Sequence, residues 1–164
     1  MPSTAATSSI RSLTAHIELF TQVHYRQSIA PDENLSELYK DVFLFHWKEE
    51  SQHAILDELE WLREDAKLTP AERDQAVNDL IELVGAVDGI LQMQASADAD
   101  YFLKACGRSF SSDEVEKIRA GVLGAYRWQY IVSGVQGRFS EVLGRIIDAA
   151  QAERIGQALA PIMQ

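Results

Sequence analysis

Prolines stand at only four of the 164 positions, 2, 31, 70 and 161. Proline removes a backbone donor and clashes with the preceding turn, so the long spans between these positions are free to run as helix. β-branched alternating runs are scarce and no repeat period is evident, and the spacing predicts an all-α chain. A first helix is expected over about 9–29, with Ile10, Leu13, Ile17, Phe20 and His24 along one face. Ala30-Pro31-Asp32-Glu33 is a tight connection, and Asn34-Leu35-Ser36-Glu37 reads as a capping box opening a second helix that reaches about Glu64. So short a loop makes the two an antiparallel hairpin. Thr69-Pro70-Ala71-Glu72 combines an N-cap, a proline at the first helical position and a reciprocal glutamate. The third helix then runs toward Gly107, with Gly85, Gly89 and the segment 95–100 as places to bend. Ser111 to Glu114 opens a fourth helix that passes Ile131, and shorter helices follow over about 140–147 and 150–160. The expectation is one domain over 1–164 with residues 1–8 frayed, a bundle of about four long helices plus short C-terminal ones.

Composition excludes several classes of function. A hydrophobic content of 46% and a charged content of 24% are those of an ordinary globular protein. The net charge of −10, with lysines and arginines interspersed, argues against nucleic-acid binding, which depends on clustered cations. No apolar run reaches the length of a membrane span, and the Ser/Thr/Ala-rich start does not read as a signal peptide. The single cysteine, Cys106, excludes an intrachain disulfide and fits a reducing compartment, so a cytoplasmic location is expected. Cys106 has no nucleophile pattern around it.

The second helix carries the chemistry. Leu35, Leu38 and Val42 start an apolar stripe that passes through His46, Glu50 and His53 before returning to Leu56 and Leu59. Positions i, i+4 and i+7 share a helix face, so three potential metal ligands point the same way along a stripe expected to be buried. Carboxylate and imidazole groups suit iron, manganese and zinc. Glu18 on the first helix is the natural partner for Glu50-Ser51-Gln52-His53. Taken from the turn at 1.5 Å per residue, the two glutamates lie roughly one helical pitch apart in height.

These residues resemble a family. Glu18 followed by Glu50-x-x-His53 is similar to one half-site of the ferritin-like di-iron carboxylate superfamily, and Glu49-Glu50-Ser51-Gln52-His53 is similar to the Glu-Glu-x-x-His of its oxygenases and desaturases. His46 extends the pattern to His-x-x-x-Glu-x-x-His, similar to the C-terminal ligand helix of the di-iron N-oxygenases. The resemblance covers roughly residues 10–62. It implies a ferritin-like bundle that activates oxygen at two iron ions, or at manganese, and oxidises a small organic substrate or iron itself. Glu18, Glu50 and His53 would be ligands, and His46 a further ligand or a hydrogen-bond partner. Glu49 would orient a ligand histidine from behind, and Tyr25 would be a redox-active neighbour or a packed aromatic.

A complete two-metal site of this kind takes a second glutamate and a second Glu-x-x-His, and the chain has no other Glu-x-x-His. Asp88 and Gln129 do not complete the pattern. Three explanations stand open: half of a longer oxygenase fold, a homodimer pairing two half-sites across a two-fold axis, or a mononuclear site of two histidines and a carboxylate. The homodimer is the favoured one, and no residue is singled out as catalytic. The non-enzyme alternative is a ferritin-like bundle serving as a ligand-binding or assembly module with a degenerate metal site. On plainer readings, Glu50 and His53 form a surface pair, His16 and His24 are structural, Asp88 pairs with Arg127, and Trp47, Trp61 and Trp128 pack.

Overall fold

The computed structural model describes residues 4–135 and 137–163, and every regular element among them is helical. Helix α1 (Thr4–His24) continues into a π-helical turn, Tyr25–Ile29. Helix α2 (Glu37–Asp65) runs back along it. Helix α3 (Pro70–Ala105) leads to α4 (Ser112–Arg127), which runs on through π-helical Trp128–Val132 into a last helical turn, Ser133–Val135. Two short helices close the chain, α5 (Arg138–Ile146) and α6 (Ala149–Leu159).

Local sequence accounts for most helix starts. Thr69 with Glu72 and Ser111 with Glu114 form the expected capping boxes, and Asp148 with Gln151 forms a third. At α2 the expectation shifts by two residues. Asn34 is drawn into a turn, where its backbone N–H donates to Asp32 (2.8 Å), and Ser36 accepts from the Tyr39 N–H instead. The frayed start expected for residues 1–8 is also revised. From Thr4 the chain is helical, with Ala5 and Ser8 buried; residues 1–3 lie outside the described residues. The third helix is unbroken across Gly85, Gly89 and residues 95–100.

Helix α1 is the central element, packed against α2, α3 and the helical turn 133–135. Its hairpin with α2 is antiparallel, with Tyr25 beside Trp47, Gln22 beside Ser51 and Ala15 in one cluster with Trp61. That cluster is completed by Phe139 and Val142 of α5, and the Trp61 and Phe139 rings stack at 5.2 Å. Buried charges are paired across elements. Arg73 holds Asp65, Arg138 holds Glu58, and Arg127 grips Asp88 with two bonds of 2.7 and 2.9 Å. Pairing of this kind is what allows carboxylates to sit inside a helix interface.

The stripe expected to be buried on α2 faces outward. Leu38 is 75% exposed, Val42 59%, and Leu56 and Leu59 58% each, and Phe45 beside them is 66% exposed. Helix α2 carries a second set at 3–4 spacing, Leu44, Trp47, Ser51, Ala54, Glu58, Trp61 and Asp65, on the opposite side, and this one packs on α1 and α5. Trp61 decides the contest: its ring fills the core with Phe139, which no residue of the outer stripe is placed to do.

One glycine is fixed by packing. A Cβ at Gly134 would lie 2.6 Å from His16 Cε1 and 3.0 Å from Phe20 Cβ. His16 cannot retreat, because it donates Nε2–H to the Tyr130 carbonyl (3.1 Å) and meets Phe20 and Phe139 edge-on. Gly134→Ala should therefore destabilise the fold by about 1–3 kcal/mol, lowering Tm by about 2–10 °C. Thermal unfolding followed by circular dichroism checks this; an unchanged midpoint would contradict the packing.

Candidate metal centre

The antiparallel hairpin brings Glu18 of α1 against the flank of α2 that carries Glu50 and His53. One ligand atom from each of the three lies within 4.8 Å of the others, and the same holds for His46, Glu49 and Glu50. Glu50 belongs to both groups. Its Oε2 accepts from His53 Nδ1 at 2.7 Å and its Oε1 lies 3.3 Å from His46 Nδ1. Glu49 Oε1 stands 3.6 Å from His53 Nε2, the position of a group that orients the ring. Glu18 and Glu50 are half-buried, whereas His46, Glu49 and His53 are exposed. The flank therefore forms the border between the α1 interface and the open face of α2.

The electrostatics are those of crowded carboxylates. Burial, the hydrogen bond shared with Glu50, and the negative charges of Glu50 and Asp57 push Glu18 up to about 7. Glu50 moves the other way, held down first by the hydrogen bond from Glu18 and then by the hydrogen bond from His53 and the charge of His46. The hydrogen bond to Glu50 raises His53. The pair therefore titrates as a unit in which Glu18 keeps the proton and Glu50 the charge. Glu18 Oε2 is buried without a hydrogen-bond partner. An orphaned acceptor beside a proton shared by two carboxylates is a position that a divalent cation satisfies, and the donor set suits iron or manganese. The residues fit the metal.

Other candidates fall outside the cluster. Tyr25 stacks on Trp47 at 5.4 Å, within the π turn that ends α1. Asp88 is closed off by Arg127 and Gln92. Buried His16 and the partly buried His24 are both held below the ordinary imidazole range by burial, as fits structural histidines. Cys106 is exposed. Sequence reading overlooked Asp57, which lies seven residues after Glu50 on the same flank and acts on Glu18 through its charge. The i+7 spacing was the available signal.

Among the described residues no helix is long and apolar enough to cross a membrane. No protein-family model, no curated protein and no solved structure matches the chain.

Proposed function

We propose that the chain is a ferritin-like, metal-dependent oxidase or oxygenase in which Glu18, Glu50 and His53 hold iron or manganese, with His46 as a further ligand or hydrogen-bond partner. One observation carries the reading: three metal-type donors from two separate helices converge within 4.8 Å around an orphaned buried carboxylate oxygen. Iron or manganese bound there supplies redox chemistry toward oxygen. The protein's part is to gather the donors, to orient His53 through Glu49, and to hold at Glu18 a proton that leaves when metal enters.

Each chain carries half of the ligand set of a two-metal carboxylate bundle, and we infer that a second copy supplies the rest. The open stripe of α2 supports this partner, because it runs beside the Glu50–His53 flank. With Phe45 and Ile55, six large apolar side chains of α2 are each more than half exposed, and apolar residues gathered on one exposed face mark interaction sites. A second reading is a non-catalytic bundle with a degenerate site. It is favoured by the fact that the two donor groups share Glu50 rather than standing apart.

Metal content measured together with native mass tests the reading. Protein purified under iron-replete conditions should carry about one iron or manganese per chain in a dimer. If no metal is present or taken up on reconstitution, the oxidase reading falls and the bundle-module reading stands. A monomer holding two metals per chain would contradict completion by a second copy.

Proton competition gives a further expectation. Below pH 7 Glu18 is protonated, so metal must displace that proton; above pH 7 the carboxylate is already free. Manganese affinity should thus rise between pH 6 and 8, by about tenfold per pH unit for each proton displaced, and flatten above Glu18's titration. Calorimetric titration in buffers of different ionisation enthalpy counts the protons. Affinity independent of pH would remove Glu18 from the ligand set.

A further inference from the structure

Next to the metal flank, in the groove between α1 and α2, lies a cavity of about 460 Å³. This is within the range of small-molecule sites, about 300–1,000 Å³. Six aromatic rings form most of its wall: Phe20, Tyr25, Tyr39, Phe43, Trp47 and Tyr130. They brace one another around the space. Tyr39 and Phe43 lie 4.7 Å apart, Tyr25 stacks on Trp47, and Phe20 meets Tyr130 edge-on at 5.4 Å. His46 is part of the same wall and also of the donor group with Glu49 and Glu50, so the cavity opens onto the metal flank.

Two features distinguish this space from a packing fault. Both π-helical turns among the described residues converge on it, the first through Tyr25 and the second through Gln129 and Tyr130. Such turns displace side chains from helical register and concentrate at functional sites. The wall contains no Asp, Glu, Lys or Arg, so apart from the imidazoles of His24 and His46 it offers nothing to compensate a charged ligand.

We propose that this cavity binds a neutral, planar aromatic molecule of one or two rings. The rings supply stacked and edge-on contacts, which select flat ligands over saturated ones. His46 places the bound molecule beside Glu50. Its role as substrate rests on the metal reading above; its binding does not.

The test is titration of metal-free, ¹⁵N-labelled protein with 2-naphthol, followed through the tryptophan indole N–H signals. The Trp47 signal should shift saturably, while that of Trp61, stacked on Phe139 in the core, stays in place. Decahydro-2-naphthol, the saturated counterpart, should bind at least about tenfold more weakly. Tyr39→Ala removes one ring of the wall and should weaken binding about three- to tenfold. No shift at millimolar naphthol, or equal binding of the saturated alcohol, overturns the proposal. Naphthol binding by a chain that takes up no metal supports the cavity and removes the oxidase reading. Metal uptake without naphthol binding does the reverse.

Discussion

Replacing Glu50 by alanine should abolish metal uptake and leave the fold within about 2 °C of the parent in Tm, since a partly exposed side chain outside the core contributes little to stability. The asymmetry follows from position. Glu50 is the residue common to both donor groups, one oxygen facing His46 and the other accepting from His53. It also takes the hydrogen bond from Glu18. Without it, Glu18 and the two histidines have no shared partner to hold their atoms within coordinating distance. His53→Ala should have the same outcome, because an exposed imidazole is removed without opening the core. Glu49→Gln is the graded case. It keeps shape and removes a charge 3.6 Å from His53 Nε2, so affinity should fall by about 10–100-fold rather than vanish. Manganese titration with circular dichroism on the same samples separates these outcomes. A Glu50→Ala chain that binds manganese as the parent does would end the assignment of this flank as a metal site.

What the sequence disclosed and what it hid divide along the range of the interactions involved. The capping boxes at Thr69 and Ser111 were legible because a cap is settled within four residues. Asn34 misled because Ser36 offered an equally local cap two residues later and Asp32 captured the asparagine. The π turns left no trace, since no local signal marks an i→i+5 turn; at the second of them the Tyr130 carbonyl accepts from His16, 114 residues away in sequence. The ligand flank was legible in its membership: His46, Glu50 and His53 share a side of α2 and Glu18 reaches it. Its burial was not. Helix α2 carries 3–4 patterns on two opposite sides, and periodicity says that both are stripes without saying which one α1 covers. Only the fit of Trp61 against Phe139 resolves that choice.

The same unresolved stripe yields the second large effect. Phe45→Glu combined with Leu56→Glu should convert an assembly of twice the 18.4 kDa chain mass into single chains. Both side chains are more than half exposed, so their replacement removes no core contact and the chain should stay folded. In a two-fold interface every substitution counts twice, so four carboxylates enter one apolar seam. Desolvating them unpaired should weaken association by at least about 100-fold. Met93→Glu places the same charge on an equally exposed apolar residue of α3, outside the seam, and should leave the mass unchanged. Sedimentation equilibrium at about 10 μM, tenfold above a micromolar Kd and tenfold below one weakened a hundredfold, reads the parent and both variants. A monomeric parent at that concentration would contradict the second copy outright. Metal analysis of the separated chains then reaches the site itself. If the dimer completes it, metal content collapses with the mass in the Phe45→Glu, Leu56→Glu chain, although Glu18, Glu50 and His53 are untouched. If metal content instead survives dissociation, the two histidines and the carboxylates of one chain suffice, and the centre is mononuclear.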